Sequence, residues 1–145
     1  MTTSALGSGE GKRAPQASGG PGEGAALDLA HLLRQCLGDG DLAAELLREF
    51  RTVALRTAAE LARDGLSFAA RADAAHRLKG SALAVGAPAV AHAAGVVEAL
   101  ARAGAPADAG ARRPIEMSQA IAALAAAVSQ AAAEIARLEG KFLGN

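Results

Sequence analysis

Apolar residues recur at spacings of three and four from Ala25 onward, the period of helices with one buried face. "ALDLAHLLRQCLG" predicts a short helix ending near Gly38. "DGDLAAELLREFRTVALRTAAELARDG" predicts a long one, with Asp39 or Asp41 as N-cap and Gly65 as a stop. Its stripe reads Leu42, Leu46, Phe50, Val53, Thr57 and Leu61. "LSFAARADAAHRLKGSALAV" is the third helix, capped at Ser67 and ended by Gly86. Pro88 suits the first turn of the next, which runs through "AVAHAAGVVEALARAG". "APADAGARR" reads as a loop, and Pro114 opens a last helix over "IEMSQAIAALAAAVSQAAAEIARLEGKF". No segment alternates with the period of a strand. The pattern predicts an all-α fold: an antiparallel up-down-up-down four-helix bundle with a short additional N-terminal helix. No internal repeat is evident.

Composition refines this in three ways. Residues 1–24 hold seven of the 17 glycines, with Pro and Ser among them, and read as a disordered, flexible tail before a bundle domain over 25–145. Hydrophobic residues reach 51% while aromatics are 2%, so the core must be built from Ala, Leu, Val and Ile. Small residues let helices approach closely, and alanine is the best helix former. Fifteen basic and fifteen acidic residues balance, which argues against nucleic acid as a partner. A lone cysteine, Cys36, excludes an intramolecular disulfide and reads as a small buried hydrophobe. The N-terminus lacks the basic-then-apolar layout of a signal peptide. "AIAALAAAVSQAAAEIARL" is broken by Ser129, Gln130 and Glu134, so no membrane span is expected. A soluble cytoplasmic monomer is the simplest expectation, since four long helices close one core.

Candidate chemistry sits in "AAHRLKGSALAVGA", Ala74 to Ala87. At roughly 100° per residue, Lys79 falls about 60° to one side of His76 and Gly80 about 40° to the other. Phe68, Ala75, Leu78, Ala82 and Val85 form a separate arc centred about 130° away, the expected core stripe. His76 is therefore expected to face solvent or the flank. A neutral imidazole is a nucleophile near pH 7, its ordinary pKa being about 6.5. Lys79, one turn on, can set an ammonium beside a dianionic group on that ring. Gly80 costs about 1 kcal/mol relative to Ala in a helix, and what it offers is a cleared approach.

The residues H-x-L-K-G-S-A, followed by Gly86, resemble the histidine phosphotransfer (HPt) family, with an acidic "GDGDLAAELLREF" helix before them and "VVEAL" after. The resemblance spans roughly Leu27 to Leu138. It implies a four-helix bundle that accepts a phosphoryl group from a phospho-aspartyl receiver domain or a histidine kinase and passes it to another receiver. It makes His76 the phosphoacceptor, Lys79 the phosphate-stabilising cation and Gly80 the clearance residue. Arg77 departs from the family, which often has a small hydroxyl residue there. It lies off the His76 face, a place to tune partner choice. The partner-docking surface is expected around Ala69, Ala72, Asp73 and Leu83, with Mg²⁺ carried by the receiver and no cofactor in this chain. Without a Gly-rich nucleotide loop, no kinase activity is expected.

Helix geometry adds Glu98. His76 precedes Gly86 by ten residues and Glu98 follows Ala87 by eleven, so both sit about 15 Å from the same turn. In an antiparallel hairpin they are level. Glu98 then either accepts a hydrogen bond from His76 Nδ1–H, leaving Nε2 as nucleophile, or is a solvated carboxylate. The phosphoacceptor domain of chemotaxis kinases has a similar spacing. Two other readings compete. Asp28-x-x-His31 and Asp73-x-x-His76 each set a carboxylate and an imidazole one turn apart. Di-iron bundles, however, use Glu-x-x-His twice with two further glutamates, and Lys79 would repel a cation. A helical adaptor without phosphate chemistry is the alternative function, disfavoured by the intact His76, Lys79 and Gly80. His31 and His92 read as ordinary helix residues.

Overall fold

A computed structural model of the chain describes residues 26–104 and 112–140. The predicted tail over 1–24, most of the loop after Gly104 and the end of the last helix at Phe142 lie outside the described residues. All secondary structure among the described residues is helical: α1 (Leu29–Gln35), α2 (Gly40–Leu61), α3 (Phe68–Val85), α4 (Pro88–Ala103) and α5 (Arg112–Leu138).

Local chemistry sets the boundaries. Asp28, Asp39 and Ser67 each precede a helix and accept from the backbone N–H three residues on, at 3.1 Å in every case. Arg71 closes the α2–α3 connection, its guanidinium donating to the carbonyls of Leu61, Arg63 and Leu66. α3 ends on Gly86, whose φ of 80° is the left-handed region that favours glycine. A Cβ there would also sit 2.7 Å from the Asp28 carbonyl. That close approach lets Asp28 N–H donate to the Gly86 carbonyl and seats α1 over the α3–α4 turn. Pro88 then occupies the first turn of α4. α5 starts at Arg112, two residues before the predicted Pro114.

Each long helix packs against two others, α2 on α3 and α5, and α4 on α3 and α5, so the four enclose one core. Leu61, Leu78, Val90, Val97, Leu124, Val128 and Ile135 are its fully buried side chains, with alanines between them. Such burial is worth about 1.5–3 kcal/mol per large side chain. The short α1 closes one end through Leu32 and Cys36.

Two predicted stripes are corrected. On α2 the buried row is Ala43, Leu47, Phe50, Ala54, Ala58 and Leu61. Only Phe50 and Leu61 were in the predicted row. Leu42 and Val53 are 42% and 40% exposed, and Leu46 is half-buried. The buried row mixes Ala43, Ala54 and Ala58 with Leu47, Phe50 and Leu61, while Leu42, Leu46 and Val53 flank it. Hydrophobicity alone placed the stripe about 70° too far round. On α3, Phe68 is 40% exposed. It stands at the first turn and lines a cavity of about 550 Å³ with Leu61, Met117 and Ile121.

Pro114–Leu138 is long and apolar enough to cross a membrane by length and composition. In the fold it buries one face through Met117, Ala120, Leu124, Val128, Ala131 and Ile135. Ser118, Gln119, Ser129, Gln130 and Arg137 remain exposed. This is the two-faced pattern of a bundle helix.

Candidate functional site

The site lies where α3 and α4 pack, the most extensive helix contact in the fold. Ala72, Ala75, Leu78 and Ala82 bury one side of α3, and Val90, Ala94, Val97 and Ala101 bury one side of α4. These rows are small enough to bring the two backbones close. They leave His76 at the edge of the seam, its side chain 61% exposed. Glu98 comes up from α4 beside it, buried with only 8% of its surface exposed.

The predicted level pairing of His76 with Glu98 is present: Nδ1 and Oε2 are 2.8 Å apart. Two cations share the same carboxylate. Lys79 Nζ lies 2.8 Å from Oε1, and Arg102 reaches Oε2 through Nε at 3.0 Å and a terminal nitrogen at 2.9 Å. The Lys79 ammonium, followed by Arg102 and His76, overrides the cost of burial and holds the Glu98 pKa at about 2. Glu98 is therefore ionised at neutral pH and can only accept hydrogen bonds. The proton between the two groups must sit on His76 Nδ1. In the neutral ring this leaves the Nε2 lone pair on the exposed side, and Nε2 has no hydrogen-bond partner among the described residues.

Lys79 reaches Glu98 across Gly95, where an added Cβ would lie 3.5 Å from Lys79 Cδ. Gly80 sits on the other side of His76, and a Cβ there would meet no described residue within 4 Å. The glycine thus weakens α3 without any internal packing need.

Of the expected docking positions, Ala69, Asp73 and Leu83 are exposed on the His76 arc, Leu83 to 58%. Ala72 is a correction. It is 2% exposed and cannot be touched by a partner. It lies about 40° from His76 on the side occupied by Lys79, which faces α4. Lys79 emerges there on a long stem, whereas alanine is covered. Arg77 is exposed off the His76 face. Asp28 is engaged as the α1 cap, so its spacing to His31 reflects capping. His92 is exposed. No cluster of three or more His, Cys, Asp or Glu suited to a metal occurs among the described residues.

Sequence reasoning missed Arg102. The signal was available, since a glutamate and an arginine four apart on one helix are neighbours. Such a pair matters to the site only because Glu98 is buried.

The arrangement is an imidazole with one nitrogen fixed by an ionised carboxylate, the other presented outward, cations alongside and an unobstructed flank. No curated protein and no solved structure gives a significant match to the chain. The family model of the Hpt domain matches residues 41–134, more than half of the chain and the whole of this site, and the chain belongs to the Hpt family.

Proposed function

We propose that this protein is a phosphorelay intermediate of a two-component system. His76 accepts a phosphoryl group from a phospho-aspartyl receiver domain or a histidine kinase and passes it to another receiver. The observation that carries this reading is the fixed ring: Nδ1 is 2.8 Å from the ionised Glu98, which leaves Nε2 as the nucleophile on an exposed surface.

The transfer balances simply. Nε2 attacks phosphorus in line as the aspartyl O–P bond breaks, and the receiver regains its carboxylate. The ring, still protonated on Nδ1, becomes positively charged directly beside Glu98. Charge that develops during the reaction thus meets a carboxylate already in place, so little reorganisation is needed. Lys79 neutralises the incoming phosphoryl oxygens. Positioning and charge neutralisation supply most of the catalysis in such transfers. Mg²⁺ belongs in this scheme to the receiver's acidic pocket.

We read the ring of helix contacts as an antiparallel up-down-up-down bundle that works as a cytoplasmic monomer without kinase activity of its own. The receiver docks over the arc formed by Ala69, Asp73, Gly80 and Leu83. Gly80 lets the partner's active site close on the ring. The test is labelling by a phosphorylated receiver domain. The wild-type chain should gain acid-labile phosphate, and His76→Gln should gain none while keeping its helical circular dichroism. Equal labelling of both proteins would refute the assignment of His76.

A further inference from the structure

Glu98 binds its three partners unequally. Among the described residues, Oε1 is paired with Lys79 alone, whereas Oε2 is shared by His76 Nδ1 and both near nitrogens of Arg102. Lys79 has a second destination once a phosphoryl group stands on Nε2, because that dianion lies on the same face of α3. Arg102 has no such task. It approaches Glu98 from the next turn of α4 and contacts the oxygen that holds the ring. A buried carboxylate needs a persistent countercharge. From this geometry we infer that Arg102 is a positioning residue for the phosphoacceptor, holding Glu98 Oε2 against His76 Nδ1 and leaving Lys79 free to move to the phosphoryl group.

This role rests on the proposed function for its purpose, but part of it is measurable without any relay partner. Two properties of Arg102→Ala and Arg102→Lys are compared with wild type. The first is the tautomer distribution of the His76 ring, read by nitrogen NMR on histidine-labelled protein at mildly alkaline pH. The second is the rate of His76 labelling by phosphoramidate. In that reaction the Nε2–P bond forms, the donor's P–N bond breaks and ammonia leaves, so receiver docking plays no part.

Arg102→Ala should lower the share of the Nδ1–H tautomer and slow labelling by about threefold, the size expected of a half-exposed charge-assisted pair. Arg102→Lys should recover most of both. An unchanged tautomer distribution overturns the inference, whether or not labelling slows, because Arg102 would then act elsewhere. Arg102→Gln keeps much of the stem and removes the charge, and gives the same reading should the alanine variant unfold. A wild-type chain labelled by phosphoramidate but by no phosphorylated receiver would refute the proposed function and leave the tautomer result to decide the role of Arg102.

Discussion

Gly80→Ala separates what the helix needs from what a partner needs. Gly80 lies in the interior of α3, twelve residues after its first residue, and a Cβ there would find open space. No described residue would therefore resist the added methyl. Replacing an exposed helical glycine by alanine should stabilise the fold by about 0.5–1 kcal/mol, mainly by restricting the unfolded chain. For a domain of this size that raises the melting temperature by roughly 2–5 °C, since about 1 kcal/mol corresponds to a few degrees. The same methyl stands on the arc beside His76, which in the proposed function is the path of a docking receiver. Thermal melting followed by circular dichroism gives the first effect, and single-turnover transfer from a phosphorylated receiver gives the second. The expected result is a more stable protein that transfers more slowly, with Gly80→Leu slower still. Labelling by the small donor phosphoramidate should be nearly unaffected in both variants. If the alanine variant is more stable and transfers to and from receivers at the wild-type rate, the clearance role of Gly80 is wrong. A fall in stability would instead contradict the open space around the position.

Lys79→Ala should slow phosphoryl acceptance or shorten the phosphohistidine lifetime by about tenfold, as expected for loss of one charge-assisted contact of ~1.4 kcal/mol, measured by decay of radiolabel. Glu98→Gln should shift the His76 ring away from the Nδ1–H form, read by nitrogen NMR. It also alters stability with pH. The Glu98 pKa falls from an ordinary 4.5 to about 2 in the fold, so its contribution is complete above pH 4.5 and is lost as pH falls towards 2. Denaturant unfolding should therefore show wild type ahead of Glu98→Gln at neutral pH and the gap closing across that window; a constant gap would contradict the pairing. Gly86→Ala should destabilise the fold by about 2 kcal/mol or more. The position combines a φ of 80° with a Cβ 2.7 Å from the Asp28 carbonyl, and denaturant melts measure the loss.

Helix identity was legible because its determinants are local. Asp39, Ser67, Gly86 and Pro88 mark boundaries through capping or backbone geometry that a few neighbouring residues decide. The level placement of His76 and Glu98 was legible for a related reason: a tight turn and a fixed rise per residue leave little freedom in register. Packing was less legible. On α2 the sequence offers Leu42, Leu46 and Val53 as the more hydrophobic row, yet Ala43, Ala54 and Ala58 are buried. In an alanine-rich chain the closest approach of backbones competes with side-chain hydrophobicity, and one helix seen alone does not reveal which prevails. Ala72 failed for the same reason. Its angle on α3 matched an exposed arc, but the flank covered by α4 is set by the partner helix. Lys79 was placed beside a future phosphoryl group from its spacing to His76. Its ion pair with Glu98, and the presence of Arg102 on the same carboxylate, emerged only when α3 and α4 were brought together.

In the proposed function, Glu98 fixes one ring nitrogen so that the other reacts. This is tested most directly by locating the phosphoryl group after transfer from a phosphorylated receiver, using phosphorus–nitrogen couplings in the histidine-labelled protein. The expected product is a single phosphohistidine at His76 with phosphorus bonded to Nε2 and the proton retained on Nδ1. Phosphorus on Nδ1, or on any residue other than His76, would contradict the proposal.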